Sequence, residues 1–404
     1  MKRNYLKLAS LLLIIIMSVA MITACSKPGS DADNKVNDDS QKEVSNNNNE
    51  NKDDEENYDG KLVFDHSLEL KYAQAFSVDY YKGGYKIIKT SDGSEVLTVP
   101  EGMSVPADIS DNVIVLKMPV QNMLVSSTPT MSLITSIGML DRVTTTTNDR
   151  DEWYIDEIIE KMDKSEIAYV GSYKAPDYEI ITTYNPPFAI FTGMINSTPE
   201  VAEKLKELKI PYILDKASDE MHPLARVEWV KLYGALFDCE DKADEVFEKQ
   251  LAYVTNLDTA KVEDKSVVMF YITSKGSLHV RQGGDYMAKM LELAGGKYIF
   301  ADMNPDKSGT EKMEFEEFYS KAKDADYIIY IWSLGGKPDN LNDFLSKNEL
   351  FTDFKAVKDG NVWCTTPDYF QISDTLGNMI KDMNDMLTLE DPTVDAFQHL
   401  VRLK

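Results

Sequence analysis

Arginines are scarce in this chain, and arginine is the residue that best grips a carboxylate or another oxyanion through its planar fork. The part of the chain with a globular hydrophobic pattern has a lysine-rich background and contains Arg142, Arg150, Arg226, Arg281 and Arg402. Arg226 follows the first of two predicted α/β regions, and Arg281 lies beyond a predicted strand. Both are therefore placed where they can face a cleft. One interpretation is that Arg226 and Arg281 bind an anionic ligand, and the other is that they pair with surface carboxylates.

Large aromatic residues near predicted strand ends are candidates for the walls of a site that takes a flat or aromatic ligand. They are Trp153, Tyr154, Tyr173, Trp229, Trp332 and Tyr369. Aromatic walls with a few polar anchors are the usual construction of small-molecule sites. A place in the hydrophobic core is the alternative for each of them. His222, just before a predicted helix, is a further candidate, because it can contact a ligand or cap that helix.

The motifs of common enzyme and metal sites do not occur in a suitable context. We find no dinucleotide-binding, phosphate-binding, zinc-protease, serine-hydrolase or CxxC pattern. The four histidines share no metal spacing. Cys239 and Cys364 are far apart and form no metal-binding or redox pattern. Enzymatic machinery is therefore not visible in the sequence, and we predict no cofactor and no metal site. A secreted hydrolase that uses a pair of carboxylates stays open as the alternative.

The remaining cysteine is Cys25, and the residues around it predict a different chemistry from that of Cys239 and Cys364. Basic residues near the N-terminus are followed by an apolar run from Leu11 to Met21, and Ile22-Thr23-Ala24 leads directly into Cys25. This is the pattern of a secretory signal, and the run is shorter than the ~20 residues that span a bilayer. The segment resembles a bacterial lipoprotein signal, in which this cysteine is lipidated and becomes the new N-terminus. The resemblance predicts a protein anchored by lipid at Cys25 to the outer face of the cytoplasmic membrane.

The residues after Cys25 have the composition of a tether. Residues 26–60 contain eleven acidic residues against four lysines and almost no large apolar side chains. Such a stretch cannot bury enough surface to fold, and its charge extends it. The formal net charge of the whole chain is −25. Repulsion from phosphates therefore argues against nucleic acid and anionic lipid head groups as partners.

The hydrophobic pattern from residue 61 onward predicts an α/β protein. A region of strands and turns at residues 75–98 is followed by short apolar runs that alternate with helical periods, which is typical of parallel sheets covered by helices. Predicted strands lie at 120–125, 167–170, 188–191, 210–214, 266–273, 326–332 and 361–365. Residues 223–254 instead keep helical spacing throughout, with Pro223 at the first helical position and a kink expected near 238–241.

These patterns divide the chain into five parts. They are a signal peptide at 1–24, the lipidated cysteine and disordered acidic tether at 25–60, an N-terminal α/β lobe at 61–221, an inter-lobe helical segment at 222–256 and a C-terminal α/β lobe at 257–404. The predicted fold is two Rossmann-like lobes, each a mainly parallel sheet flanked by helices, joined by one long α-helix.

Several segments, in order along roughly residues 70–390, carry a family resemblance. They are Ala75–Tyr81 with Gly84-Tyr85-Lys86, Ser172–Glu179, His222–Trp229, Gly284–Ala288 through to Glu292–Gly296, and Ile331–Gly336. Together they resemble the substrate-binding lipoproteins of ABC importers for iron complexes, haem and vitamin B12. The resemblance implies two lobes joined by one long helix with little hinge motion.

The resemblance also implies a cargo and a partner. The expected ligand is an iron chelate such as a siderophore, haem or a corrinoid, with another chelated metal or a small anion as the alternative. Such proteins offer one glutamate from each lobe to arginines of the ABC permease, and by position these match Glu179 and Glu292. We expect a monomer that docks on permease subunits. A sensor subunit with a different membrane partner is a further alternative.

Overall fold

The computed structural model describes residues 60–262, 264–332 and 336–404. The predicted signal peptide, the lipidation of Cys25 and the tether up to residue 59 lie outside these residues. Within them the chain begins with a five-stranded sheet in which neighbours in sequence are neighbours in space. Its strands are β1 (Phe64–Ser67), β2 (Phe76–Tyr81), β3 (Tyr85–Thr90), β4 (Glu95–Val99) and β5 (Ile114–Lys117). Gly83 and Gly93, with φ of 77° and 90°, supply left-handed turns on either side of β3.

The second sheet is parallel and has helices between its strands. Its strand order is β12-β11-β6-β7-β8, and β9 pairs with β10 in a separate small ladder. In chain order the elements are β6 (Met123–Val125), α1 (Thr128–Ser136), β7 (Val143–Thr146), α2 (Asp156–Asp163), β8 (Ala168–Tyr169), β9 (Gly171–Ser172), β10 (Ala175–Pro176), α3 (Tyr178–Tyr184), β11 (Ala189–Thr192), α4 (Pro199–Glu207) and β12 (Tyr212–Asp215). The apolar pattern had not predicted β7, because three of its four residues are threonines.

The inter-lobe segment consists of three consecutive helices where the sequence predicted one long helix. They are α5 (Pro223–Glu228), α6 (Val230–Phe237) and α7 (Glu240–Thr255). α6 ends because Asp238 takes a left-handed conformation with φ of 55°. This is the position at which a kink was expected. Every residue of α6 is buried, so the segment is part of the core and not only a connection.

The third sheet forms the C-terminal lobe, with strand order β16-β14-β13-β17-β18-β19 and β15 paired to β13. Its central pairs are parallel, and its outer pairs are antiparallel, so it is more mixed than predicted. The elements are β13 (Ser266–Ile272), β14 (Leu278–Arg281), α8 (Tyr286–Leu293), β15 (Lys297–Tyr298), β16 (Thr310–Met313), α9 (Phe315–Ala322), β17 (Tyr327–Tyr330), α10 (Leu341–Leu345), α11 (Lys355–Lys358), β18 (Val362–Thr365), α12 (Leu376–Thr388) and β19 (Leu400–Arg402). One hydrophobic core runs from the first sheet through α6 into this lobe.

Candidate ligand-binding site

A cavity of about 720 Å³ lies at the carboxyl ends of the central strands β13, β17 and β18. This is the edge at which parallel α/β sheets bind their ligands. Its lining is Tyr271, Thr273, Ser274, Lys275, Ser277, His279, Arg281, Trp332, Tyr369 and Phe370. Two of these described side chains are cationic, and none carries a carboxylate. The charge of this lining is therefore positive, whereas the whole chain carries a net charge of −25.

Side chains alternate between the two faces of β13 and β14, and this alternation places the polar residues of the cavity on one face. β13 pairs with β14 in antiparallel register, so that Tyr271 lies opposite His279, and their rings stack with centroids 5.2 Å apart. The neighbours Phe270 and Ile272 point to the opposite face and are buried. Arg281 follows His279 by two positions and so shares its face. One face of this strand pair therefore supplies Tyr271, His279 and Arg281 to the cavity.

Arg281 has an incomplete set of partners. Its side chain is 12% exposed, and its Nη1 lies 3.7 Å from the Asp285 carboxylate, which already accepts the N–H groups of Met287 and Gly309. Within the described chain, its buried Nε has no hydrogen-bond partner. Burial acts to lower the pKa of Arg281, but Asp285 and the neighbouring hydroxyls of Tyr286, Tyr369 and Tyr271 together raise that pKa, so the guanidinium stays charged. A buried cation with a free donor is suited to an incoming anionic oxygen.

A cluster of three aromatic side chains forms the opposite wall, and two of them, Trp332 and Phe370, line the cavity. The rings of Trp332 and Phe370 are parallel with centroids 6.0 Å apart, and Tyr154 meets Trp332 edge-on at 5.7 Å. Tyr154 comes from the N-terminal lobe, so both lobes contribute to this wall. Tyr154 and Phe370 are each 40% exposed, which leaves ring surface for a ligand. Burial raises the pKa of the adjacent Tyr369 to about 12, so its hydroxyl stays protonated and able to donate.

Three residues named from the sequence thus line the cavity, namely Arg281, Trp332 and Tyr369, and a fourth, Tyr154, packs against its aromatic wall. The sequence reasoning missed Tyr271, Lys275, His279 and Phe370. Tyr271 and His279 could have been found from the polar alternation on both sides of the turn at Gly276, and Phe370 from its position next to Tyr369. Instead, that stretch was assigned as a single strand that ends at Thr273.

The structure places the other predicted ligand residues elsewhere. His222 caps α5, because its Nδ1 accepts the N–H of Leu224 at 3.2 Å. The Arg226 guanidinium lies 3.8 Å from the Tyr286 ring centroid and donates to two backbone carbonyls. Trp229 is fully buried and donates its indole N–H to Glu220. None of the three lines the cavity, so we leave them out of the candidate site.

Trp153 and Tyr173 also lie apart from the cavity. Trp153 is 4% exposed and belongs to the main core, whereas its neighbour Tyr154 faces the aromatic wall. Tyr173 packs on the small core of the N-terminal lobe, with the Lys174 ammonium 5.5 Å from its ring centroid. Neither of them lines the cavity. Adjacent aromatic residues can therefore have opposite roles in this fold.

Glu179 and Glu292, the predicted docking residues, are both exposed. Glu179 lies in the first turn of α3, where Asp177 caps the helix by accepting its N–H and that of Ile180. Glu292 lies in the last turn of α8 and pairs with Lys289 at 2.8 Å. Their exposure is compatible with contact to a partner protein, and among the described residues the Glu179 carboxylate has no hydrogen-bond or ion-pair partner.

A second cavity of about 500 Å³ lies between the first sheet and helices α6 and α7. Among its lining residues are Tyr80, Lys231, Glu240 and Asp244. Lys231 pairs with Asp244 at 2.9 Å, and Glu240 pairs with the buried Lys86. Lys231, Glu240 and Asp244 therefore already have partners within the fold, and this cavity is not the candidate site.

A metal site and a membrane-spanning helix are two further possibilities for the described residues. No group of histidine, cysteine, aspartate or glutamate side chains there is arranged to hold a metal ion. Cys239 and Cys364 are both free thiols, and burial raises the pKa of Cys364 to about 12. Across residues 60–262, 264–332 and 336–404, none of the helices has the length and apolarity needed to cross a bilayer.

Known proteins with similar sequences or structures include lipoproteins and periplasmic binding proteins. Two uncharacterized lipoproteins of Methanocaldococcus jannaschii are each 29% identical to this chain; the matches cover 75% and 74% of this chain and 77% and 78% of the relatives. The petrobactin-binding protein of Bacillus subtilis has the same fold, with a TM-score of 0.56 and 16% identity over 76% of this chain and 99% of its own. A periplasmic haem-binding protein of Pseudomonas aeruginosa has a TM-score of 0.54 and 12% identity over 71% and 99% of the two chains.

These comparisons confirm the predicted two-lobe α/β fold and the prediction of a binding protein rather than an enzyme. The family model described as periplasmic binding protein matches residues 140–369, which is more than half of the chain. This match covers the cavity from Tyr271 to Tyr369 and the inter-lobe helices. The chain therefore belongs to the periplasmic binding protein family.

Proposed function

We propose that this protein is a lipid-anchored solute-binding protein that captures an anionic iron chelate or haem and delivers it to an ABC importer. The observation that carries the proposal is the cavity at the carboxyl ends of β13, β17 and β18. It combines the incompletely paired Arg281 and Lys275 with the ring faces of Trp332 and Phe370.

The lining selects among the predicted ligand classes by charge. Siderophores with catecholate oxygens and haem with its carboxylates both present negative charge beside flat aromatic surface, which suits a guanidinium next to stacked rings. A corrinoid displays mainly neutral amides and gains less from Arg281. We therefore place the anionic chelates ahead of the corrinoid, with another chelated metal or a small anion as the alternative.

Delivery requires an anchor and a partner. In this proposal Cys25 carries the lipid, residues 26–60 span the distance to the membrane, and the lobes at 61–221 and 257–404 are joined by residues 222–256. The exposed Glu179 and Glu292 meet arginines of the permease, one from each lobe. Iron-binding, haem-binding and siderophore-binding proteins among the structural neighbours support this assignment of ligand class.

The experiment is a titration of the purified protein by tryptophan fluorescence, because Trp332 lies in the cavity wall. The ligands are a ferric tris-catecholate, a ferric hydroxamate, haem and cobalamin, with inner-filter controls. Saturable quenching by the catecholate or haem, weakened by about 10- to 100-fold in Arg281→Ala, is the expected result for a lost charged hydrogen bond. Arg150→Ala is the control, because Arg150 pairs with Asp163 on the surface. Absence of quenching by all four ligands would contradict the proposal.

A further inference from the structure

The Gln371 side chain joins the two lobes beside the cavity. Its Nε2 donates to the Glu152 carbonyl at 2.7 Å, and its Oε1 accepts the Tyr154 N–H at 3.0 Å. The two bonded groups belong to the N-terminal lobe and lie 219 and 217 positions away in sequence. Gln371 itself has no exposed surface. A single buried amide thus uses its donor and its acceptor on one short stretch of the opposite lobe.

The turn that carries Gln371 also carries the cavity wall. Gln371 N–H donates to the Asp368 carbonyl at 2.7 Å, which closes a turn containing Tyr369 and Phe370. On the opposite lobe, Tyr154 follows a short 3-10 helix at Arg150–Glu152 that is closed by reciprocal bonds between Asp149 and Glu152. Both partners of the contact are therefore locally fixed. The Gln371 amide connects these two rigid turns directly.

From this geometry we infer that Gln371 is a positioning residue, which holds Tyr154 against the Trp332–Phe370 stack before any ligand arrives. The two interlobe hydrogen bonds support this positioning role, and its effect on ligand binding rests on the proposed function. Tyr154 is the one member of the aromatic wall that comes from the other lobe. A preassembled wall spares the ligand the free energy of bringing the lobes together.

Glutamate at position 371 keeps the shape of the side chain and removes its donor. In Gln371→Glu the second carboxylate oxygen faces the Glu152 carbonyl, so one hydrogen bond is lost and a repulsion is added. Protonation of the new carboxyl restores an O–H donor, which should rescue the contact as the pH is lowered. Gln371→Met removes both bonds without adding charge. Gln398→Glu is the matched control, because Gln398 bonds Asn378 on the exposed surface of the same lobe.

The test is hydrogen–deuterium exchange of the ligand-free protein, read at the Tyr154 amide. We expect exchange there to rise by about tenfold or more in Gln371→Glu and Gln371→Met, as for the loss of a buried hydrogen bond. Amides of β13 and β17 should stay protected, which separates a local release from general unfolding. Lowering the pH should restore protection in Gln371→Glu alone. Unchanged exchange at Tyr154 in both variants overturns the inference, and so does an equal rise in Gln398→Glu.

Chelate affinity provides the second measurement. We expect both variants to bind the chelate about three- to tenfold more weakly than the wild type, because the wall must assemble during binding. Wild-type affinity in a variant whose Tyr154 amide is released would overturn the positioning role. If the wild type binds none of the four ligands while Tyr154 still exchanges faster in the variants, the proposed function fails and the interlobe contact stands.

Discussion

Glu228 accepts the backbone N–H of Ala73 at 2.8 Å, from a position 155 residues later in the chain. The same carboxylate accepts the N–H groups of Lys71 and Tyr72, each at 2.7 Å. Glu228 is fully buried, so these three donors replace the water that would otherwise solvate its charge. The segment between β1 and β2 is therefore fastened to the inter-lobe helices by one side chain.

Removing this carboxylate should destabilise the fold. In Glu228→Ala three backbone donors lose their acceptor, and we expect the free energy of unfolding to fall by about 2–4 kcal/mol. Urea denaturation of the purified protein measures this. Glu248→Ala is the control, because Glu248 pairs with the side chain of the neighbouring Lys71 while 52% exposed. Such surface pairs are worth about 0–1 kcal/mol, so similar losses in the two variants would contradict the prediction.

The pH dependence of stability should reveal His222. Burial, followed by the nearby Lys289 charge, lowers the pKa of His222 from its ordinary value of 6.5. The unfolded chain therefore binds a proton more readily than the folded one. The His222 contribution to stability is complete above pH 6.5 and is lost as the pH falls through the lowered pKa. Protonation of Nδ1 would also remove the acceptor that caps α5.

His222→Asn tests this, because asparagine keeps a capping oxygen and does not titrate. Denaturation curves collected from pH 8 down to about pH 5 cover the window in which an ordinary histidine and a histidine with lowered pKa titrate. We expect the wild type to lose stability relative to the variant across this range. Two curves that stay parallel throughout would show that His222 makes no titratable contribution.

Docking on a permease should depend on Glu179 and Glu292 without involving the cavity. We expect Glu179→Ala and Glu292→Ala each to lower cellular uptake of the chelate by about tenfold or more, as for loss of a desolvated charge partner. Chelate binding by the purified variants should not change. Uptake of labelled chelate and fluorescence titration measure the two effects separately.

The chain offers a matched control for each of these glutamates. Glu200 lies in the first turn of α4, as Glu179 does in α3, and both are exposed. Glu207 pairs with Lys204 at 2.8 Å, with the same spacing as Glu292 and Lys289. Uptake that falls equally in Glu200→Ala and Glu207→Ala would point to a general effect of surface charge, against specific docking.

Lipid attachment should depend on Cys25 alone. We expect Cys25→Ala to abolish incorporation of labelled palmitate and to prevent cleavage before residue 25. Cys239→Ala is the control, because Cys239 is a free, partly buried thiol among the residues that the structure describes. Labelling that persists in Cys25→Ala, or disappears in Cys239→Ala, would contradict the assignment of Cys25.

The sequence determined the order of the elements wherever burial leaves a clear pattern. Strands covered on both faces must be almost entirely apolar, so β11 and β17 could be located from their composition. Pro223 marked a helix start, because proline suits the first helical position. β7 and the strand pair β14 and β16 were missed, since their threonines and charged residues leave no continuous apolar run. Arg281 was selected because arginine is rare in this chain.

Only the tertiary structure decided which aromatic residues face the cavity. Trp153 and Tyr154 are neighbours of similar apolar character, yet one lies in the core and the other in the wall. The Tyr154 N–H donates to Gln371, which lies 217 positions away in the other lobe. His222, which caps α5, stacks on Tyr72, and Trp229 packs in the core against Phe76. The local sequence does not determine whether such a side chain lies in the core or at the site, because this depends on packing against residues that are distant in the chain.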